Sequence, residues 1–264
     1  MLKRTSVVSL LVALGLWGAA SPALGQALVP YVLPLDFERL EEQGLQLAQE
    51  ALQLAQFQQL GAALERAQLA SQLAPQNAQV WALLGSLYLQ FEEVDPAIAA
   101  LERAQSLEAS NAGVLFSLGS AYFQKGEYLR ASTLLERGLA QEPDNPAALF
   151  DLGNAYFKLR QYPQAITSYE ASMQAEPNFW PSANNIGLVL FEQGQADAAI
   201  ARWRSTIEAA PNEPEPKLAL AVALYAQGER TESVRLGIEA LEQDSRYADV
   251  DFLEDNLWGT RLLG

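Results

Sequence analysis

The stretch PAALFDLGNAYFKLRQYPQAITSYEASMQAEPNF, residues 146–179, carries the pattern that decides the fold. Its small, aromatic and proline residues recur elsewhere in the chain at multiples of 34 positions. The recurring sets are Gly85, Gly119, Gly153 and Gly187; Ala97, Ala131, Ala165 and Ala199; Tyr88, Tyr122 and Tyr156; and Pro75, Pro143, Pro177 and Pro211. Several residue types that recur with the same long period predict a repeat architecture.

Each repeat is interpreted as two antiparallel helices. Ala, Leu, Gln and Glu dominate the composition, and all four favour helix. A glycine inside the first helix costs about 1 kcal/mol relative to alanine, so it indicates the close approach of a neighbouring helix. The prolines follow the second helix and prevent it from continuing. We therefore expect an all-α chain.

The repeats resemble the tetratricopeptide-repeat family. Trp81-x-x-Leu84-Gly85-x-x-Tyr88 matches the family signature, and residues 146–179 run close to the family consensus along their length. The resemblance implies a right-handed α-solenoid of about five to six helix-turn-helix repeats over residues 37–247. The expected repeats are 44–77, 78–111, 112–145, 146–179, 180–213 and 214–247. Residues 248–264 are expected to form a C-terminal capping helix.

The N-terminus has the pattern of an export signal. Lys3 and Arg4 precede an apolar run at 7–20, and Ala23 and Gly25 place small residues at a cleavage site. We predict a cleaved signal peptide over residues 1–25, followed by an extended, proline-containing lead-in over 26–36. The predicted location is the periplasm or the thylakoid lumen. An uncleaved membrane anchor, which would place the protein near a membrane, is the alternative.

The charge and the missing residue types exclude several classes of function. The chain has 32 acidic and 17 basic residues, a net charge of −15, which opposes binding to nucleic acid. It has no Cys and no His, so it lacks the residues for a Ser-His-Asp or Cys-His nucleophile. We predict that the protein is not an enzyme and takes no cofactor. A hydrolase that uses paired carboxylates is the less favoured alternative.

The resemblance also implies a peptide-binding groove lined by the first helices of the repeats. In the family, Asn residues hydrogen-bond the backbone of a ligand. Members that bind the tails of chaperones also carry several Lys and Arg side chains that point into the groove, and in this sequence only Lys158 stands at such a position. The predicted groove residues are Phe116, Phe123, Phe150, Asn154, Phe157, Lys158, Asn184, Asn185, Leu188, Phe191 and Tyr225. The family consensus carries aromatic residues and Asn at these places in any case, which leaves open whether they bind a ligand.

The predicted function is a non-enzymatic scaffold or assembly factor. Its partners would be client proteins that it holds by peptide or helix segments. A membrane-anchored assembly factor for photosynthetic or cell-envelope complexes is the alternative. The sequence identifies neither the client nor the oligomeric state.

Overall fold

Asparagine side chains begin three of the helices at intervals of 34 residues. The Oδ1 atoms of Asn77, Asn111 and Asn145 accept hydrogen bonds from backbone N–H groups in the first turn of the helix that follows each of them. Such a cap contributes about 1 kcal/mol to helix stability. The start of a repeat is therefore fixed locally as well as by packing.

The structure is a computed structural model that describes residues 36–177 and 179–264. The predicted signal peptide, and the predicted lead-in up to residue 35, lie outside the described residues. Residues 38–264 form one unit. Within the described ranges the chain is all-α, without a strand.

Six helix pairs follow one another in these ranges. The first helix of each pair is called the A-helix and the second the B-helix. The A-helices are α1 Phe37–Gln56, α3 Ala78–Gln90, α5 Ala112–Gln124, α7 Pro146–Lys158, α9 Trp180–Glu192 and α11 Pro214–Gln227. The B-helices are α2 Leu60–Leu73, α4 Val94–Leu107, α6 Tyr128–Leu139, α8 Tyr162–Ala175, α10 Ala196–Ala209 and α12 Arg230–Gln243. From α3 to α11 each helix packs on the one before it and the one after it, which is the arrangement of a solenoid.

The recurring glycines allow large side chains to lie between paired helices. A Cβ atom added at Gly153 would lie 2.5 Å from Cε1 of Tyr169 on the paired B-helix. At Gly187 the corresponding neighbour is Trp203, which is fully buried. The paired helix does contact these glycines, but through a bulky side chain and not through the small residues that we expected, so each glycine makes room for a ring.

The last pair reverses this arrangement. Ala221 stands in α11 where the earlier A-helices have glycine, and Gly237 stands in α12 where Trp203 stands in α10. A Cβ atom added at Gly237 would lie 3.9 Å from that of Ala221, an ordinary contact distance. The small residue has moved from one helix of the pair to the other.

Residues 245–264 form what we call the terminal segment. It contains a 3₁₀ turn at Ser245–Ala248 and two short helices, α13 Val250–Asp255 and α14 Thr260–Leu263. The capping helix predicted over 248–264 is thus divided in two. The division falls at Leu257, which has a left-handed backbone (φ 69°), and at Gly259, which is extended. The Asp249 side chain caps α13.

Within the described ranges, no helix combines the length and the apolar character needed to cross a membrane.

Candidate peptide-binding surface

The A-helices of the first three pairs line an open cleft. It has a volume of about 730 Å³ and lies on α1, α3 and α5. Its lining residues are Leu45, Ala48, Gln49, Leu52, Ala55, Asn77, Gln79, Val80, Ala82, Leu83, Ser86, Leu87, Gln90, Asn111, Gly113, Val114 and Ser117. None of them is charged. Leu45 and Leu52 are 37% and 49% exposed, so the cleft presents apolar side chains to solvent.

The open cleft uses positions that the family resemblance places on the inward side of the A-helices. Ala82 and Ser86 lie in α3, and their equivalents one repeat later are Phe116 and Ser120 in α5. Because the repeat period is 34 residues, the same positions in α7, α9 and α11 mark the continuation of this surface. The predicted groove residues lie mostly on that continuation.

Most of the predicted aromatic residues contact other aromatic residues of the chain. Phe123 packs on Tyr128, Phe157 on Tyr162 and Phe191 on Trp203, at centroid distances of 5.3 to 5.9 Å. Such tilted pairs are typical of interhelical packing. Phe157, Leu188 and Phe191 are buried, and Phe123 is half-buried. Whether any of them also contacts a client stays a prediction.

Phe116 and Phe150 are also half-buried between helices. The ring of Phe116 lies against Gly138 of α6. Phe150 has its ring 5.4 Å from that of Phe179 and 5.8 Å from that of Tyr169. Tyr225 differs, because it is 55% exposed and lies beneath the guanidinium of Arg230.

The predicted asparagines bond to one another in a buried network that we call the polar ladder. Asn154 Oδ1 accepts hydrogen bonds from Tyr169 Oη at 2.8 Å and Asn185 Nδ2 at 3.0 Å. Asn184 Nδ2 donates to Asn185 Oδ1 at 3.2 Å and to Glu215 Oε1 at 2.9 Å. The ladder therefore connects α7, α9 and α11, and most of its hydrogen-bonding groups are used within the protein, although Asn184 Oδ1 is buried without a partner.

One further polar contact joins neighbouring A-helices. Ser120 Oγ in α5 donates to Asp151 Oδ2 in α7 at 2.7 Å. Burial raises the pKa of Asp151, and the hydrogen bond from Ser120 opposes that rise. The serine thus stabilises the ionised form of a carboxylate that faces little water.

The terminal segment covers the continuation of the inner surface. Trp258 Nε1 donates to Glu215 Oε1 of α11 at 3.4 Å, and the Arg261 backbone N–H donates to Glu192 Oε1 of α9 at 2.9 Å. The apolar side chains of the terminal segment belong to the same buried cluster as Phe157, Leu188 and Phe191. The surface that is open in the first three repeats is therefore occupied in the last three.

Lys158 also faces the terminal segment. Its Nζ atom lies 3.4 Å from the backbone carbonyl oxygen of Glu254, to which it donates. Burial lowers the pKa of Lys158, while the nearby carboxylates of Asp255 and Glu254 counteract this.

Glu215 is the buried carboxylate at the end of the polar ladder. Desolvation raises its pKa to about 7, although Asn184, Trp258 and Tyr247 all hydrogen-bond to it and favour the charged form. Two of these donors, Trp258 and Tyr247, belong to the terminal segment. The protonation of Glu215 is therefore coupled to the position of that segment.

The fold and the inner surface together define a helical-repeat protein of the kind that binds other proteins. Residues 35–183 match the family model of the TPR domain of cytochrome c-type biogenesis protein H, and residues 184–248 match a tetratricopeptide-repeat model. The chain belongs to the tetratricopeptide-repeat family. None of the curated proteins matches it significantly in sequence.

Solved structures with a similar fold share little sequence with the chain. MamA is 24% identical with a TM-score of 0.55, over 62% of this chain and 96% of its own. YrrB, described as a TPR protein with an unusual peptide-binding site, is 20% identical with a TM-score of 0.53, over 68% and 92%. PilF of Pseudomonas aeruginosa is 16% identical with a TM-score of 0.65, over 84% and 98%. At these identities the likeness concerns the fold alone.

Sequence reasoning missed the open cleft, and it placed the apolar residues of the terminal segment against the last repeat only, whereas the segment reaches across α7, α9 and α11. The first repeat has Glu50 and Ala51 where the family has Leu and Gly, so the repeat pattern is weak there and does not single out Leu45 and Leu52. A signal for the terminal segment was present, since Leu253, Leu257, Trp258 and Leu262 form an apolar set outside the repeats. Nothing in their spacing shows which surface they cover.

Proposed function

We propose that this protein is a non-catalytic scaffold that holds an uncharged, apolar segment of a client protein in the open cleft, outside the cytoplasm, during the assembly of a larger complex. The observation that carries the proposal is the lining of the cleft. Exposed leucines supply apolar contacts, and neutral Gln, Asn and Ser side chains supply donors and acceptors for a peptide backbone. Since no lining residue is charged, the cleft offers no ion-pair partner to a charged side chain, which favours an uncharged segment.

The comparisons support this proposal. YrrB, which shares the fold, is described as having a peptide-binding site. The best-covering family model is that of a protein named for cytochrome c-type biogenesis, which supports a role in assembly. The signal-like N-terminus supports a location outside the cytoplasm, and the absence of His and Cys supports a role without catalysis.

Binding of peptides by wild type and variants on a peptide array tests the cleft. Leu52→Asp introduces a charge into the apolar lining, whereas Leu69→Asp introduces the same charge on α2, outside the cleft, at a leucine of similar exposure. We expect Leu52→Asp to weaken binding of the selected apolar peptides about tenfold or more, because apolar anchors dominate such interfaces. Leu69→Asp should bind like wild type.

Titrations of the selected peptides at low and high salt complete the test. Uncharged contacts are little affected by screening, so affinity should change little with salt. Equal binding by both variants, or binding that disappears at high salt, would show that the cleft is not the peptide site.

A further inference from the structure

The terminal segment is too short to fold without the surface that it covers. Its helices α13 and α14 have six and four residues, and isolated helices of that length are not stable in water. Its buried apolar side chains are Tyr247, Leu253, Leu257, Trp258 and Leu262. The order of the segment therefore depends on the A-helices beneath it, as the order of a bound peptide depends on its receptor.

Its polar contacts resemble those of a bound peptide. One backbone N–H, of Arg261, donates to Glu192, and one backbone C=O, of Glu254, accepts from Lys158. One side chain, the indole of Trp258, reaches Glu215. These contacts engage α9, α7 and α11 in turn, so the segment spans three repeats.

The fit of the segment is incomplete. A cleft of about 340 Å³ remains between it and the surface formed by α7 and α9, lined in part by Phe157, Tyr162, Glu192 and Leu263. Leu257 also adopts a left-handed backbone, which is costly for a residue with a Cβ atom. A competing ligand could therefore start to bind in the remaining cleft without first removing the segment.

We propose that the terminal segment is an intramolecular ligand that a partner segment of the same chemistry displaces. That partner segment carries a tryptophan between leucines, with acidic residues on the side that faces Lys158, as Glu254 and Asp255 do here. That a partner exists depends on the proposed function, whereas the replacement of the terminal segment by an added peptide does not. Displacement would expose Phe157, Phe191 and the polar ladder.

A disulfide can hold the segment in place on the surface that it covers. The chain has no cysteine of its own. A Cβ atom at Gly259 would lie 2.6 Å from Cγ of Glu192, and Gly259 has φ −84°, which any residue can adopt. The full-length variant Glu192→Cys/Gly259→Cys therefore gives a closed form when oxidised and a releasable form when reduced.

The probe is a fluorescent synthetic peptide of residues 245–264, measured by anisotropy. We expect the reduced variant to bind it at least about tenfold more tightly than the oxidised variant, because a site that is seldom open has a reduced apparent affinity. Trp258→Ala in the full chain should bind it about tenfold or more tightly than wild type does, since the internal competitor has lost its aromatic anchor. Val250→Ala, at an exposed position of the same segment, should behave like wild type.

Equal binding to the oxidised and reduced forms, or no binding to either, would make the segment a fixed structural cap and overturn the proposal. This comparison holds even if Trp258→Ala fails to fold. Light scattering on the reduced variant should show a monomer; a concentration-dependent dimer would assign the surface to a second copy and overturn the partner claim.

On the peptide array, peptides with tryptophan between leucines should bind the reduced variant and not the oxidised one. If every selected peptide binds both forms and its binding is weakened by Leu52→Asp, the open cleft is supported. The claim that a partner binds the surface under the terminal segment then fails. The two proposals therefore fail separately.

Discussion

Glu215 makes the stability of the protein depend on pH. Its pKa is about 7 in the folded chain against an ordinary value of 4.5, because burial disfavours the charged carboxylate. Near it lie Tyr247, which hydrogen-bonds to it, and the carboxylate of Glu213, which raises its pKa further. The folded protein therefore binds a proton more tightly than the unfolded chain does.

The sign of the effect follows from this difference. A raised folded pKa adds stability below the unfolded value, and this contribution disappears as the pH rises through about 7. We expect the free energy of unfolding to fall between pH 5 and pH 8, by roughly 1.4 kcal/mol for each unit of pKa difference.

Glu215→Gln should remove this dependence. The amide keeps an acceptor oxygen for Asn184 and Trp258 but carries no charge. Relative to wild type, the variant should be more stable at pH 8 than at pH 5, as measured by urea unfolding. Glu65→Gln, at an exposed position of α2, controls for the change in net charge. Parallel pH curves for wild type and Glu215→Gln would contradict the assignment.

At the scale of the elements, contacts between paired helices depend on the glycines. Gly153→Leu places a side chain where the ring of Tyr169 lies, so the pair must separate or the ring must move. Overpacking of this kind costs about 1–3 kcal/mol. Thermal unfolding followed by circular dichroism should show a helical protein with a lower midpoint.

Gly61→Ala is the matched control for this change. Gly61 also lies in a helix, but no heavy atom lies within 4 Å of a Cβ atom added there. Its replacement should leave the midpoint unchanged or raise it, because alanine favours helix. An equal fall for both variants would show that the contact with Tyr169 does not decide the effect.

The sequence predicts helix packing better than it predicts the binding surface, and the spacing of the residues explains why. Gly153 and Tyr169 lie within one repeat, so their contact recurs with the period of 34 and appears in the sequence as a pattern. Asn154 and Asn185 lie in different repeats, and the residue types at this pair of positions change along the chain, since Ser120 and Asp151 occupy it one repeat earlier. The contact of Lys158 with Glu254, 96 residues away, involves a segment outside the repeats. The all-α fold and the family are therefore predicted and confirmed, whereas the occupants of the inner surface are visible only in the structure.

At the scale of the whole molecule, the proposed location can be tested on the native protein. If residues 1–25 are a cleaved signal, the purified protein should begin near Gln26 and should be recovered outside the cytoplasm. N-terminal sequencing of protein from fractionated cells measures both. A chain that begins at Met1 in the soluble cytoplasmic fraction would contradict export, and one that begins at Met1 in the membrane fraction would favour a retained anchor.

The contacts between A-helices also bear on how the gene for such a protein can change. Packing between Gly153 and Tyr169 is complete within one repeat, so a duplicated or transplanted repeat would carry it along. The bonds from Ser120 to Asp151 and from Asn184 to Glu215 cross from one repeat to the next, and each suits only one neighbour. A rearrangement that changed the order of the repeats would remove the Ser120 donor from the half-buried Asp151 and the Asn184 donor from the buried Glu215, at a cost of about 1–3 kcal/mol for each. The helical units are alike in shape, but the polar residues at their contacts fix the order in which the repeats can follow one another.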